Sequence, residues 1–322
     1  AAITTHANIY WNTRASVECL ALTPNDVHLI MFPVFVHPHE LFARPLYLGG
    51  TTVLLDSIAP GPMGRAIETH RVTCLMAVAS ICSSLVRSHR SHPFNSASLR
   101  LVEAGGMHVN DRLAKEFKEG LGVPIRPVWG STETTGIAVA NFMDKPVRPG
   151  SMGQACPYYE VQAIRDDGTL AATDEAGEMR IRGAGVCAGY FGNPAEASSR
   201  FRDGWFCAGD MVRKDAEGFF YFVGRRHGMM KVSGLKVFPL EIENVLMTHP
   251  DIQEAAVVSH ADRTHGEVPK AVIVRRPGSA IGETEIRKYC ESRLSKSKVP
   301  RVISFMDELP KGPGGKILYL LL

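Results

Sequence analysis

The first 129 residues alternate short apolar runs with amphipathic stretches, and this alternation restricts the possible folds more than any other feature of the sequence. Four of the runs have the length and composition of buried strands, at 51–55, 72–78, 99–103 and 125–129. Two of the intervening stretches, at 61–70 and 111–120, have the apolar spacing of helices. Strands that alternate with helices indicate parallel strands joined by crossover helices, so we predict an α/β fold here.

The pattern changes twice further along the chain. From 150 to 222, short alternating runs are broken by Asp-Gly and Gly-Asn turns, which predicts a small barrel or sandwich of strands. Beyond residue 224 we expect an α+β domain, with helices at 239–248 and 283–294 and strands at 252–259, 271–275 and 302–305. The predicted divisions are a partial N-terminal α/β portion at 1–149, a barrel-like portion at 150–223, a hinge at 224–230 and a mobile domain at 231–322.

The composition argues against several classes of protein. A formal net charge of +3 over 322 residues is too small to indicate nucleic acid or an anionic membrane as the main partner. No apolar run has the length of a membrane span, and residues 1–10 lack the pattern of a signal peptide. The seven cysteines have neither Cys-x-x-Cys nor zinc-ligand spacing, and an odd number of scattered thiols favours a reducing compartment. We therefore expect a cytoplasmic protein.

The strongest local signal is the segment 129–136, Trp-Gly-Ser-Thr-Glu-Thr-Thr-Gly, which comes just after a predicted strand. A turn there exposes backbone N–H groups, hydroxyls and one carboxylate at the carboxyl edge of a parallel sheet, where α/β folds bind ligands. Thr132 has the chemistry to bind a phosphate oxygen, and Glu133 has the chemistry to hold a Mg²⁺ ion that bridges phosphates. A polar turn with a capping threonine explains the segment equally well when it is taken alone.

Other segments have a simpler structural explanation when each is considered by itself. The segment 104–107, Ala-Gly-Gly-Met, would let the backbone approach a flat ring, but a simple turn also accounts for it. The segment 203–210 would present an aspartate to ribose hydroxyls, although an Asx turn is favoured on local grounds. Arg225 offers a planar guanidinium to a ribose or a phosphate. The segments 231–236 and 239–243 read as a basic turn and an acidic helix start, the latter explained by the helix dipole.

The segment 310–316, Pro-Lys-Gly-Pro-Gly-Gly-Lys, is not a phosphate loop of the Gly-x4-Gly-Lys-Ser/Thr kind. Pro310 stands at the first glycine position, and Ile317 replaces the metal-binding hydroxyl. What remains is a flexible loop that presents Lys316, a residue type that is usually just solvated.

Taken together, the segments resemble the adenylate-forming, AMP-binding superfamily of acyl- and aryl-CoA ligases, peptide-synthetase adenylation domains and beetle luciferases. The matches follow the family's order over nearly the whole chain: Thr5-His6-x-Asn8, Gly105-Gly106, Gly130-Ser131-Thr132-Glu133, Gly177-Glu178, Gly189-Tyr190, Gly209-Asp210, Gly224-Arg225, Ser233-Gly234, Glu241-Ile242-Glu243, and Pro310-Lys311 with Gly315-Lys316. Each match is weak alone, but so many in order and at the family's spacing do not arise by chance.

The resemblance implies a two-step reaction with cofactors ATP, Mg²⁺ and coenzyme A. A carboxylate attacks the α-phosphate of ATP and releases pyrophosphate, and a thiol of coenzyme A or of a carrier protein then attacks the acyl carbon. By similarity, Lys316 bridges the carboxylate and the phosphate oxygens, while Thr132 and Glu133 bind phosphate and metal. The implied residues of the nucleotide site are Gly105, Gly106, Met107, Trp129, Gly130, Ser131, Thr132, Asp210 and Arg225.

The resemblance also implies two arrangements of the C-terminal domain. The domain would turn about the segment near His227, which removes Lys316 and brings the turn with Ser233, Gly234 and Lys236 to the adenylate for the thioester step. The implied acyl pocket includes Val36, His37 and Gly136. His37 and His39 also resemble a metal-binding pair, but no third ligand is evident.

The chain departs from the family's pattern in several places. The family's phosphate loop precedes the Thr-His-x-Asn segment, near which this sequence begins, so we expect a fragment that binds ATP poorly alone. His227 stands where the family usually has Asp or Lys, and Ala208 replaces a Thr. Gly312 and Gly314 replace Thr and Ser in the lysine loop, which should loosen it.

Three functions stay open from the sequence. The first is an acid–CoA ligase, and the second is an adenylation domain or fatty-acyl-AMP ligase that loads a carrier protein. The third is a non-catalytic nucleotide-binding homologue. Residues 36–40 lack the Phe-Asp with which peptide-synthetase domains hold a substrate amine, and this favours a carboxylate without an α-amine.

Overall fold

A computed structural model describes residues 1–32, 38–106, 109–262, 264–312 and 317–322, with the backbone alone at 38–41. The chain forms two compact units. The first contains Ala1–Ala208 and Val212–Phe222, and the second contains Gly209–Met211 with Val223–Leu322. The finer division into four parts stays a prediction. Among the described residues, no helix is both long enough and apolar enough to cross a membrane.

The first sheet confirms the predicted α/β fold of the N-terminal portion. Its strands are β1 (Val27–Ile30), β2 (Thr51–Leu54), β3 (Cys74–Ala77), β4 (Leu101–Ala104), β5 (Ile125–Ser131), β6 (Gly136–Ala140) and β7 (Gln154–Ala155). Their order is β2-β1-β3-β4-β5-β6-β7, parallel through β5 and antiparallel for β6 and β7. The accompanying helices are α1 (His6–Cys19), α2 (Pro38–Leu48), α3 (Pro60–His70), α4 (Ala79–Ser91) and α5 (Asp111–Leu121).

Apolar side chains of the helices pack against the parallel strands and form a core of this unit. Leu75 on β3 and Val102 on β4 belong to one buried cluster with Ile67 on α3, Leu85 on α4 and Phe117 on α5. Full burial of such a side chain stabilises the fold by about 1.5–3 kcal/mol. Because a core packed in this way is rigid, it fixes the ends of β4 and β5, where the predicted site begins.

The second sheet matches the barrel-like portion that the turn spacing predicts. Its strands are β8 (Tyr159–Ile164), β9 (Gly177–Gly183), β10 (Phe201–Arg202), β11 (Trp205–Lys214) and β12 (Phe220–Arg225). The order is β10-β11-β9-β8, with β12 beside β11. Buried residues alternate along β8, and Val161 lies opposite Ile181 of the antiparallel β9. A short helix that the sequence did not predict, α6 (Pro194–Arg200), precedes β10.

The third sheet confirms the α+β character of the C-terminal portion. Its strands are β13 (Met230–Val232), β14 (Leu235–Val237), β15 (Ile252–Asp262), β16 (Gly266–Arg275) and β17 (Val302–Met306), in the order β14-β13-β16-β15 with β17 beside β16. Helices α7 (Pro239–Met247) and α8 (Glu283–Glu291) contribute Ile242 and Ile286 to the core of this unit. Short 3₁₀ segments lie at Arg226–Gly228, Lys296–Lys298 and Tyr319–Leu321.

One predicted boundary is wrong in a way that matters for the site. Strand β5 continues to Ser131, so Gly130 and Ser131, which follow the predicted strand 125–129, lie within β5. The cause is an antiparallel neighbour, because Gly130 pairs with Ile137 and Ser131 with Gly136 of β6. The turn is therefore the connection of a hairpin at 132–135, in which Thr132 is exposed and Thr134 and Thr135 are buried.

Candidate functional site

Two of the predicted nucleotide-binding segments lie side by side at the ends of neighbouring parallel strands. Gly105 follows β4 and lies against Val128 of β5, so that a Cβ at Gly105 would be 3.3 Å from Val128 Cγ2. Gly106 has a φ of +71°, a left-handed conformation that favours glycine. Trp129, half-buried, is the next residue of β5. These glycines and the tryptophan thus meet at the carboxyl edge of the sheet, where open α/β sheets bind ligands.

Hydrogen bonds within the segment 131–136 fix the shape of the turn. The Thr134 hydroxyl donates to the carbonyl oxygen of Gly136 at 2.6 Å and accepts from the N–H of Ser131 at 2.9 Å. The N–H of Thr135 donates to the carbonyl oxygen of Thr132 at 3.1 Å. Ser131 therefore contributes to the turn through its backbone and through Oγ, which accepts from the N–H of Thr134 at 3.3 Å. The Thr132 side chain is exposed and available to a ligand.

Buried polar groups anchor the same turn to the rest of the unit. Asn12 is 2% exposed, and its amide donates to the carbonyl oxygen of Ile137 at 2.9 Å and to the Tyr159 hydroxyl at 2.8 Å. The Tyr159 hydroxyl in turn donates to the carbonyl oxygen of Thr134 at 2.7 Å. Because buried hydrogen-bonded groups of this kind are costly to separate, the turn is held in one position.

The two glycines of this hairpin meet different constraints. A Cβ at Gly130 would lie 2.5 Å from the carbonyl oxygen of Gly136, closer than any real contact, so only glycine fits at Gly130. Gly136 has a φ of +140°. Its assignment to the acyl pocket stays a prediction.

Glu133, the predicted metal ligand, is held by the segment 187–190. The Tyr190 hydroxyl donates to Glu133 Oε1 at 2.6 Å, and the N–H of Cys187 donates to the Glu133 carbonyl oxygen at 2.8 Å. The Tyr190 ring contacts Phe201 edge-on, with the ring centroids 5.6 Å apart. Burial, reinforced by the adjacent Glu133 carboxylate, raises the pKa of Tyr190 above its ordinary value, so the hydroxyl stays protonated and donates.

The oxygen atoms at the turn fit a magnesium ion. Glu133 is half-buried, Tyr190 occupies its Oε1 atom, and Oε2 accepts no hydrogen bond from any residue the structure describes. Within the described ranges, no group of three or more His, Cys, Asp or Glu side chains could hold a metal by itself. One carboxylate together with substrate phosphates is the usual arrangement for Mg²⁺, so this donor set suits an ion that arrives with ATP.

Asp210 and Arg225, the predicted ribose-binding pair, are in direct contact within the second compact unit. Asp210 lies on β11 with its side chain 1% exposed, and Arg225 ends β12 with its side chain 66% exposed. Arg225 Nη1 is 2.9 Å from Asp210 Oδ1. The guanidinium holds the buried carboxylate in one orientation, as the predicted binding of ribose hydroxyls requires.

The predicted thioester-step residues form the turn between β13 and β14. Ser233 and Gly234 have φ values of +49° and +83°, which is the conformation of a tight two-residue hairpin. The N–H of Ser233 donates to the carbonyl oxygen of His265 at 3.0 Å, and Lys236 is exposed. His227 lies, also exposed, in the 3₁₀ segment Arg226–Gly228. Its role as a hinge stays a prediction.

A cleft of about 910 Å³ lies in the second unit, close to His265. Arg287, Lys296 and Arg301 line it, together with the acidic side chains of Asp262 and Glu291.

The Asp262 carboxylate, although it lines the cleft, is hydrogen-bonded to the neighbouring His265. It accepts from His265 through both the ring Nδ1 atom, at 3.0 Å, and the backbone N–H, at 2.8 Å. The His265 Nε2 atom lies 2.9 Å from Arg301 Nη2. No motif in the sequence indicates this cleft, which the fold builds from two segments, 260–268 and 287–302.

The base of the predicted lysine loop is well defined. Lys311 pairs with Ile317 as an antiparallel bridge, and the N–H of Leu318 donates to the carbonyl oxygen of Pro310 at 2.9 Å. Lys311 Nζ donates to Glu254 Oε1 at 2.8 Å. Lys316, Met107, Val36 and His37 lie outside the described residues, and their roles stay predictions.

The motifs Thr5-His6-x-Asn8 and Gly189-Tyr190 hold the site together through contacts that the sequence does not predict. Thr5 caps α1, and Asn8 donates from its amide to the carbonyl oxygens of Ala184 and Val186 at 2.8 and 3.0 Å. Asn8 thereby ties α1 to the loop that leads into 187–190. Tyr190 belongs to a family motif, and nothing else in the sequence indicates its contact with Glu133.

Two family models match the chain. The model of the AMP-binding enzyme matches residues 1–191, more than half of the chain, and the model of the AMP-binding enzyme C-terminal domain matches residues 241–316. Among curated proteins, indoleacetate–CoA ligase of Aromatoleum aromaticum is 32% identical over 320 residues. That alignment covers 98% of this chain and 62% of the relative, so the chain spans about three fifths of the length of such relatives.

Solved structures give the same picture. ATP-bound MatB from Rhodopseudomonas palustris superposes with a TM-score of 0.93 at 27% identity, covering 99% of this chain and 64% of that one. O-succinylbenzoate coenzyme A synthetase (MenE) from Bacillus subtilis, in complex with ATP and magnesium ion, superposes with a TM-score of 0.88 at 30% identity. That superposition covers 98% of this chain and 65% of the synthetase.

Proposed function

Since the chain belongs to the AMP-binding enzyme family, we propose that the complete protein is an acid–thiol ligase that forms AMP. It converts a carboxylic acid and ATP into an acyl-adenylate and pyrophosphate, and then transfers the acyl group to the thiol of coenzyme A. The observation that supports this most is the hairpin turn at the end of β5. It presents the Thr132 hydroxyl and the Tyr190-bound Glu133 carboxylate beyond the carboxyl end of β5.

In the proposed first step, the chain supplies groups that bind and orient the nucleotide. Gly105 and Gly106 leave room for the adenine, Asp210 and Arg225 bind the ribose, and the Thr132 hydroxyl donates to a phosphate oxygen. Mg²⁺, when bound, would neutralise phosphate charge through oxygen ligands that include Glu133. Donors fixed before the reaction stabilise developing charge without reorganisation, which is why the anchored turn matters.

In the proposed second step, the thiol attacks the acyl carbon and AMP leaves. Ser233, Gly234 and Lys236 would face the adenylate after the C-terminal domain turns about His227. The hydrogen bond from Ser233 to His265 connects this turn to the neighbouring cleft.

The cleft favours coenzyme A over a carrier protein as the acceptor. Coenzyme A carries three phosphate groups, and Arg287, Lys296 and Arg301 line a volume of about 910 Å³ close to the thioester turn. Charge-assisted hydrogen bonds from arginine to phosphate are strong and directional. A fatty-acyl-AMP ligase or a carrier-loading domain binds a pantetheine arm without the nucleotide part of coenzyme A, so it would not need these basic residues. A non-catalytic homologue would need neither the arm nor the nucleotide.

We further propose that the protein acts in the cytoplasm on a carboxylic acid without an α-amine. All seven cysteines are free, six of them buried, which fits a reducing compartment. The relatives named above act on several different acids, so the acid itself is not specified by the likeness.

The test of this function is a panel of acids with the full-length protein, Mg²⁺ and ATP. Aryl, aryl-acetic, dicarboxylic and fatty acids are supplied singly, with and without coenzyme A, and the nucleotide products are separated. We expect AMP and pyrophosphate with at least one acid, and its thioester only when coenzyme A is present. ADP and phosphate, or no turnover with any acid alongside tight ATP binding, would contradict the proposal.

We predict that Arg287→Gln and Arg301→Gln in the full-length protein each raise the KM for coenzyme A about tenfold. A hydrogen bond to a charged group contributes about 1.5–3 kcal/mol, and each 1.4 kcal/mol is about a factor of ten. The KM for ATP should not change. Steady-state kinetics with coenzyme A and with pantetheine as the thiol measure the effect, because pantetheine lacks the nucleotide.

A matched control for these variants is Arg293→Gln. The Arg293 guanidinium lies over the Tyr289 ring, 3.7 Å from its centroid, and does not line the cleft. The Arg293→Gln variant should leave the KM for coenzyme A unchanged. If Arg287→Gln and Arg301→Gln raised the KM for pantetheine as much as that for coenzyme A, the cleft would not bind the nucleotide part.

A further inference from the structure

Tyr190 is the one hydrogen-bond donor to the Glu133 carboxylate among the described residues. The donor–acceptor distance is 2.6 Å, which is typical of a charge-assisted hydrogen bond from an O–H group to a carboxylate. The two residues are 57 positions apart, so the contact is made by the fold and not by local sequence.

Several contacts leave Tyr190 little freedom to move. Its ring packs on Phe201, which in turn packs on Phe206 with centroids 5.2 Å apart. The N–H of Ile3 donates to the carbonyl oxygen of Gly189 at 2.8 Å. The hydroxyl is therefore presented from a fixed backbone and a fixed ring.

The same segment also holds the backbone of Glu133. Cys187 donates its N–H to the Glu133 carbonyl oxygen at 2.8 Å, three residues before Tyr190. The main chain and the side chain of Glu133 are thus both bound by 187–190. A glutamate has three rotatable side-chain bonds, and a hydrogen bond to one carboxylate oxygen removes most of that freedom.

We propose that Tyr190 is a positioning residue for the metal site: it binds one oxygen of Glu133 and thereby orients the other oxygen toward the magnesium ion that accompanies ATP. This inference rests on the proposed function, in which Glu133 is a ligand of that ion. Partners that orient a metal ligand typically change metal affinity by about 10- to 100-fold when they are removed.

The test uses the full-length protein and Tyr190→Phe, which keeps the ring and its contact with Phe201 but removes the hydroxyl. Mn²⁺ is the probe, and electron paramagnetic resonance measures its binding to the protein with a non-hydrolysable ATP analogue. We expect about a 10-fold weaker Mn²⁺ affinity and a matching increase in the Mg²⁺ concentration needed for half-maximal adenylation. Saturating Mg²⁺ should restore most of kcat.

The control is Tyr221→Phe. The Tyr221 hydroxyl donates to Asp215 Oδ2 at 3.0 Å, so this variant also removes a tyrosine–carboxylate hydrogen bond in the same compact unit, but away from the turn. It should leave Mn²⁺ affinity unchanged. Equal losses in both tyrosine variants, or unchanged affinity in Tyr190→Phe, would overturn the positioning role.

A parallel variant, Glu133→Gln, separates failure of the inference from failure of the proposed function. If Glu133→Gln weakens Mn²⁺ binding and Tyr190→Phe does not, the glutamate is a metal ligand that needs no help, and only the inference is wrong. If neither variant weakens Mn²⁺ binding, the assignment of the metal to Glu133 is wrong as well. The melting temperature of Tyr190→Phe, measured without nucleotide, reports any general loss of stability. Added Mg²⁺ should not restore a melting temperature that is lowered for that reason.

Discussion

Lys316→Ala in the full-length protein should abolish acyl-adenylate formation while a supplied acyl-adenylate still reacts with coenzyme A at a near-normal rate. The ammonium group is proposed to stabilise negative charge on the carboxylate and phosphate oxygens in the first step alone. Loss of one such group costs about 10²–10³ in rate. Pyrophosphate release from acid and ATP measures the first half-reaction, and thioester formation from the synthetic adenylate measures the second.

The control for Lys316→Ala is a lysine of the same unit that has an ordinary surface partner. Lys298 Nζ donates to Glu241 Oε1 at 2.7 Å on α7, and Lys298→Ala should change neither half-reaction appreciably. Equal loss of both half-reactions in Lys316→Ala would refute the proposed division of labour between the two arrangements of the domain.

The second large effect concerns stability at the start of the nucleotide site. Glu103 precedes the Ala-Gly-Gly segment on β4, and its two carboxylate oxygens lie 2.9 and 3.0 Å from Arg44 Nη1, with both side chains 3% exposed. Glu103→Gln leaves a buried guanidinium beside a neutral group, which should cost about 3–5 kcal/mol of unfolding free energy. Burial, with Arg44 nearby, lowers the pKa of His28 to about 4, so His28 stays neutral and adds no further positive charge.

Chemical denaturation, followed by the fluorescence of the tryptophans of the first compact unit, measures this loss of unfolding free energy. The exposed pair of Arg182 and Glu160 supplies the control, because Glu160→Gln should cost less than about 1 kcal/mol. The double variant Glu103→Leu with Arg44→Met should be more stable than Glu103→Gln, since an apolar pair removes both buried charges. A small loss in Glu103→Gln, similar to that in Glu160→Gln, would contradict the account of this pair.

The strands and helices that the apolar pattern predicts are present, several with other bounds, whereas further elements went unpredicted. Helix α1 was missed because its buried face contains Asn12, Thr13 and Ser16, so no apolar stripe marks it. Helix α2 has Pro45 in its interior, which argues against a helix in sequence. The helix α4 and the four-residue strand β1 also went unpredicted.

In the site, motifs that are contiguous in sequence could be recognised, whereas contacts between residues far apart in sequence could not. The family resemblance inferred from motif order is confirmed by the family matches. Asp210 and Arg225 are in contact, and their role in binding ribose stays a prediction. The end of β5 was placed two residues too early, because pairing with β6 is not encoded locally. The partnership of Tyr190 with Glu133 depends on the packing of 187–190 against the turn, and no spacing rule reports it.

The most direct test of adenylate formation follows the oxygen atoms of the acid. An acid that the panel identifies is labelled with ¹⁸O in both carboxylate oxygens and converted by the full-length protein with ATP and coenzyme A, and the AMP is analysed by mass spectrometry. Attack of the carboxylate on the α-phosphate, followed by release of AMP from the acyl carbon, predicts one ¹⁸O atom in each AMP and none in pyrophosphate. AMP without label, or label in released phosphate, would contradict the central claim.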